Sequence, residues 1–352
     1  MNSAAADRIA KAVLYEGYML YPYRPSAVKN QQRFNFGVVY PQPFSEAQKG
    51  TDPWTMQTEC LVQGNLAAKL EVQVRFLQLV ERSVEATAEP GATSTDSRKF
   101  HPVKALAVDG QTFYSWQEAV ERELKIPATD LESLSRYSLQ RPLHLEPDAS
   151  DEELRNAQGA LLGRIVRTQE SIAGLVEARA QEIADQVFKI TVSVRNITPL
   201  ENPASVTRDH ALLRSLVSAH VVLGIEGGEF VSLLDPPESL QAAVAGCHNQ
   251  GTFPVLVGDE GQRDTVLASP IILYDYPQIA PESAGDLFDG TEIDEILSLR
   301  IMTMTDEEKS EMRQSDERAR QMLERTEAMP AEQFMKLHGV LRGLRPLKED
   351  SR

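Results

Sequence analysis

The chain has 352 residues and a net charge of −16, from 36 basic and 52 acidic side chains; such a field repels phosphate backbones, so nucleic acid is not an expected partner. A hydrophobic fraction of 41% and a charged fraction of 25% exclude wholesale disorder, and the length suits two domains or one elaborated domain. No apolar run approaches the ~20 residues a membrane helix needs, and the opening MNSAAADRIAKAVLYEGY lacks the basic and apolar regions of an export signal, so a cytoplasmic protein without membrane insertion is expected.

In chain order, Ser3 to Glu16 reads as a short helix with Ser3 at its N-cap, ended by Gly17. It runs into the most aromatic stretch of the chain, LYEGYMLYPYRPSAVKNQQRFNFGVVYP, which ends in a predicted strand over Phe34 to Tyr40. Pro41 to Pro53 reads as a loop. Thr55 to Gln63 alternates as a strand that turns at Gly64 and Asn65, and Lys69 to Leu79 returns as its partner, with Leu70, Val72, Val74 and Phe76 on one face. A polar, turn-rich loop is expected over Ala86 to Ser97.

Val103 to Val108 and Gln111 to Tyr114 flank Asp109-Gly110, the residues a two-residue hairpin turn requires. Ser115 with Glu118 has the spacing of a capping box, which predicts a helix up to Pro127; Ser150 with Glu153 predicts another through Leu154, Leu161 and Ile165. Ser171 to Ile183 suits either a helix or a strand, and the clean alternation of Val187 to Ile197 favours a hairpin. A helix over Arg208 to Val217, a hairpin of His220 to Ile225 and Glu229 to Leu234 around Gly227-Gly228, and a short helix from Pro236-Pro237 to Ala245 follow. Strands are expected over Phe253 to Val257 and Val266 to Tyr274. Beyond them, Thr305 with Glu308 opens a helix through Leu323, and Pro330 opens a second around Phe334, Leu337 and Leu341.

The expected fold is therefore α+β: antiparallel, sandwich-like β lobes over residues 1–145 and 146–300, flanking helices, and a C-terminal helical pair over 301–352.

Motifs with a defined mechanism, such as phosphate-binding loops, nucleophile elbows and paired zinc histidines, are absent from the sequence. A serine triad from His210 or His220 with Ser232 and Asp235 lacks any sign of an elbow. Cys60 and Cys247 are too far apart in sequence to suggest a metal-ligand pair or a secreted disulfide framework, and both are expected as reduced thiols. Cys247-His248 is a weak candidate for a thiol or metal site, against the reading of an ordinary buried cysteine. Two stretches are candidate docking surfaces. Tyr18, Tyr21, Tyr23, Arg24 and Arg33 combine aromatic and arginine anchors, while Asp275 to Glu295 carries seven carboxylates and no Lys or Arg, with Asp286, Asp289, Glu292 and Asp294 as its centre. Core packing and a solvated acidic loop are the plain alternatives.

The aromatic stretch, GCHNQGTFPVLVG (246–258) and SPIILYDYPQIAPESAGDLFDGTEIDEILSLRIMTMTDEEK (269–309) together resemble a bacterial protein family associated with genes for NiFe hydrogenases and their accessory proteins. The resemblance implies a setting of hydrogenase assembly or maturation and carries no chemical role or cofactor. It points to a non-enzymatic accessory protein that contacts a hydrogenase subunit or maturation factor. The rival reading is an enzyme or metal carrier built on Cys247, His248 and nearby carboxylates.

Overall fold

One strand organises the structure, a computed structural model that describes residues 9–10, 37–88, 99–278, 301–315 and 317–328. Strand β1 (Thr55–Thr87) runs for 33 residues. On one side it pairs in succession with β10 (Val187–Asn196), β5 (Trp116–Asp130) and β2 (Phe100–Val103); on the other it pairs with β11 (Val217–Val231) and β8 (Leu161–Gln169). β9 (Ile172–Ala184) and β6 (Leu139–Leu145) extend the sheet beyond β10, β13 (Thr265–Ser269) and β12 (Phe253–Leu256) beyond β11, and β7 (Asp148–Arg155) beyond β8. Every pairing is antiparallel, and eleven strands share one sheet. β3 (Ala105–Val108) and β4 (Gln111–Tyr114) form a separate hairpin. The hydrogen bonding therefore crosses the boundary expected at 145/146, because β1 joins strands on both sides of it.

The predicted turn at Gly64-Asn65 is corrected to a bulge. Gly64 stands opposite Gly228 and Lys69 opposite Glu226, so residues 65–68 of β1 face Gly227 alone, and both expected hairpins are single strands bent at one level. The bend depends on close backbone contact: a Cβ on Gly228 would lie 2.9 Å from the Gln63 carbonyl oxygen. Because β1 bends, Cys60, Val62, Leu70, Val72, Val74 and Phe76 share one core with Ile190, Val192 and Val194 of β10 and Ala219, Val221 and Leu223 of β11.

Two expected helices are strands. After Ser115 the chain becomes β5, since Arg122, Leu124 and Ile126 alternate with the exposed Glu121, Glu123 and Lys125 against β1. The Ser115 hydroxyl donates to the Val103 carbonyl and accepts from the Val84 amide, so it joins strands instead of capping a helix. Ser150 to Ile165 is the β7–β8 hairpin, in which Leu161, Gly163 and Ile165 are buried. Pro41 to Pro53, read as loop, holds the short helix α1 (Gln42–Ala47), fixed by the buried Phe44. Helix α2 (Leu131–Arg136) follows β5. The helix expected over Arg208 to Val217 is the shorter α3 (Arg208–Leu212), because Leu216 bridges to Val39 and Val217 enters β11.

Several readings hold. Asp109 (φ 49°) and Gly110 (φ 84°) make the β3–β4 turn. β9 and β10 form the expected hairpin, and α4 (Gln241–Ala245) ends at Gly246. α5 (Asp306–Ser315) opens on a true capping box, with Thr305 Oγ1 accepting from the Glu308 amide at 3.2 Å and Glu308 Oε2 from the Thr305 amide at 2.8 Å. α6 (Glu317–Glu327) folds back on it through Arg313 and Lys309, which meet Glu327 at 2.5 and 3.3 Å, so the one helix expected from Thr305 through Leu323 is two. Met312 and Leu323 pack on Tyr40, Phe44, Leu77 and Leu79. The helix expected from Pro330 lies outside the described residues, as do most of Ser3 to Glu16 and of the loop 86–97. No helix among the described residues is long and apolar enough to cross a membrane.

Candidate functional site

Two connecting segments carry the sequence candidates that fall within the described residues. The first, 247–250, lies across the start of β1. Gln57 and Gln250 exchange backbone bonds of 3.0 and 2.9 Å, and the Gln57 side chain donates to the His248 carbonyl at 3.2 Å. Asn249 Oδ1 accepts from the Glu59 amide (2.8 Å) and the Thr58 hydroxyl (3.0 Å), while its Nδ2 donates to the Glu59 carbonyl. Glu59 is only 3% exposed. Its carboxylate accepts from the Thr191 hydroxyl at 3.0 Å and the His248 amide at 2.8 Å, with Lys189 Nζ at 3.5 Å. The buried acid is tolerated because each of its carboxylate oxygens meets a donor.

Within this segment the thiol of Cys247 turns inward. Its Sγ donates to the Ala243 carbonyl at 3.8 Å, and it packs beside Leu61, Val187, Val231 and Leu240. Burial pushes the thiol up to about 11, aided by the Glu59 charge and opposed by Lys189. Cys60 belongs to the main core, where burial raises its thiol far above the usual range. At neutral pH both are protonated, and a protonated thiol is a poor nucleophile and a poor ligand. His248 is exposed. No group of three or more His, Cys, Asp and Glu side chains among the described residues is placed to hold a metal ion. The arrangement holds a segment down, and the Glu59 carboxylate and the Asn249 side chain are committed to that.

The second segment, 269–276, follows β13. Ser269 Oγ donates to the Ile271 carbonyl at 2.8 Å, and Pro270 is in such close contact with Gly37 that a Cβ there would come within 2.5 Å of it. At the other end Asp275 accepts from the Ser232 hydroxyl and, at 2.8 Å, from the Leu256 amide, and the Tyr276 amide donates to the Leu256 carbonyl at 2.7 Å. Between these anchors Ile271 and Leu273 pack on Val222, Val255 and Leu267, whereas Ile272 is 88% and Tyr274 80% exposed. This strap replaces the last part of the strand expected to reach Tyr274: its alternation is real, but its backbone does not join the ladder.

Ser232 is accounted for by the same anchor. Its hydroxyl donates to Asp275 and accepts from the Leu234 and Asp235 amides at 3.1 and 2.9 Å, a local turn rather than a nucleophile. His220 is fully buried in β11, and its Nδ1–H donates to the Ser218 carbonyl at 3.0 Å. His210 lies on α3. No triad forms from these residues.

Asp275, the one carboxylate of the acidic run among the described residues, is spent internally. Asp286, Asp289, Glu292 and Asp294 lie outside the described residues, as do Tyr18, Tyr21, Tyr23, Arg24 and Arg33. Sequence reasoning missed Glu59 and the strap. An acid inside the apolar pattern TECLV, and the uncharged run PIILY placed directly before an acid run, were the available signals. No protein-family model matches the chain, and no curated protein matches it.

Proposed function

We propose that the chain is a non-enzymatic accessory protein of hydrogenase assembly, acting in the cytoplasm without a cofactor by contacting a hydrogenase subunit or maturation factor. In this reading the β wings on either side of the β1 bend act as a sandwich-like support, and the C-terminal helices brace it. The observation that carries the contact role is the strap, which is held at both ends and keeps two large apolar side chains in water. A contiguous exposed apolar patch marks an interaction site where isolated apolar side chains do not, and Ile272 and Tyr274 stand two residues apart on the one strap. The committed state of Cys247 and Glu59 favours this reading over the enzyme or metal carrier.

The test is co-purification with tagged protein from a hydrogenase-expressing bacterium, at low and high salt. Enrichment of a hydrogenase component that is lost on Ile272→Asp/Tyr274→Asp supports the proposal. Absence of any such component, together with intact hydrogenase activity after deletion, ends it. Neutralising Asp286, Asp289, Glu292 and Asp294 in the same assay reads the charge contribution, because screening leaves exposed charges a reach of only about 8 Å at ~0.15 M salt.

A further inference from the structure

We propose that residues 271–274 form a strand-addition site for an extended segment of a partner protein, apolar at alternate positions and basic between them. The inference rests on the contact reading above and specifies the form of the partner. A second observation carries it. The backbone N–H and C=O groups of Ile272, Leu273 and Tyr274 make no hydrogen bond among the described residues. Three consecutive residues thus offer unsatisfied donors and acceptors beside two exposed apolar side chains, which is what an added strand uses.

The strap is ready for such pairing. Ser269 and Pro270 fix one end and Asp275 and Tyr276 the other, while Ile271 and Leu273 fix its depth. Little ordering entropy remains to be lost on binding. The neighbouring edge of β12 is closed: Leu256 is already bonded to Asp275 and Tyr276, and Pro254 has no N–H to give. An incoming strand would therefore meet the strap, with alternate side chains against Ile272 and Tyr274.

Charge selects the occupant. The strap PIILY bears no charge, the whole chain is at −16, and the sequence from Asp275 to Glu295 contains no Lys or Arg. A second copy could pair strap to strap about Leu273, setting Ile272 opposite Tyr274, but it would bring the same negative field with it. A basic segment gains where a second copy is repelled.

The experiment uses the full chain and a fluorescein-labelled peptide of about ten alternating valines and lysines, followed by anisotropy at neutral pH and low salt. Saturable binding is expected, weakened by about tenfold or more when alternate amides are N-methylated, when glutamate replaces lysine, or in Ile272→Asp/Tyr274→Asp. Equal binding of the N-methylated peptide would show that the backbone is not used, and equal binding by the variant would put the site elsewhere. Absence of saturable binding also overturns the proposal. So does a dimer in sedimentation velocity that dissociates in the variant, since the occupant is then a second copy. If the peptide binds as expected while hydrogenase components are never captured, the hydrogenase reading falls and the strand-addition site stands. Capture that survives the double substitution has the opposite meaning.

Discussion

The segment 247–250 and the strap 269–276 do similar work, each fastening a connection to the sheet, yet they leave the molecule with different surfaces. The first is fastened at successive residues: Gln57, Thr58 and Glu59 bond His248, Asn249 and Gln250 from the sheet side, and the buried carboxylate of Glu59, itself held by the Thr191 hydroxyl, takes the His248 amide. The second is bonded at its ends; its middle makes no backbone hydrogen bond among the described residues and carries two exposed apolar side chains. A segment bonded residue by residue to the sheet has little backbone to offer a partner, whereas one bonded only at its anchors has more. The comparison separates structural from available surface without reference to residue type. Cys247-His248, a weak chemical candidate in the sequence beside the reading of an ordinary buried cysteine, lies in the fastened segment, and the strap falls where the end of a strand was expected.

The largest loss is expected at Glu59. Glu59→Ala strands the Thr191 hydroxyl, the His248 amide and the Lys189 charge, and the expected loss is about 3 kcal/mol in urea unfolding. Glu59→Gln keeps one acceptor oxygen and should lose only about 1 kcal/mol. Equal losses would mean that packing, and not hydrogen bonding, holds the segment.

Acid should act nearly as strongly on the wing under the strap. Burial, and secondarily the Arg75 charge, push the His220 imidazole down from 6.5 to about 4, against a raising hydrogen bond to Ser218; Arg75, opposite His220 across one ladder, is bonded to Glu123 opposite it across the other. The native state holds the neutral ring, so the unfolded state binds the extra proton between these values. Stability from this group is intact above pH 6.5 and is lost as pH falls towards 4. At about 1.4 kcal/mol for each tenfold change, the loss approaches about 3 kcal/mol. A urea midpoint series from pH 7.5 to 4 should show this slope, and His220→Gln should flatten it. Peptide-binding assays on the strap belong above this window.

At the strap anchor, Asp275→Ala removes the acceptor for Ser232 and for the Leu256 amide, and about 1–2 kcal/mol should be lost. Hydrogen exchange at Leu256 should quicken, and peptide binding should weaken as the strap loosens. The smallest effect is expected in the middle: Ile272→Asp and Tyr274→Asp should each stay within about 0.5 kcal/mol of the parent. A loss of several kcal/mol there would show that these side chains are buried in solution and would withdraw the docking surface.

What the sequence determined by itself was the local grammar. Period-two alternation located Lys69 to Leu79 and Val187 to Ile197, and Asp109-Gly110 located its turn, because facing and positive φ are properties of a few adjacent residues. Tertiary structure decided what those pieces paired with. Ser115 with Glu118, Ser150 with Glu153 and Thr305 with Glu308 share one spacing, yet only the last caps a helix. The first two precede residues that complete the ladder beside β1, and a pairing with a distant strand outweighs a capping preference worth about 1 kcal/mol. Likewise Gly64 and Gly227-Gly228 look like two hairpin turns when each is read alone. Only their meeting across β1 and β11 makes them one bend, because a close backbone contact between residues more than 160 positions apart leaves no trace in either local pattern.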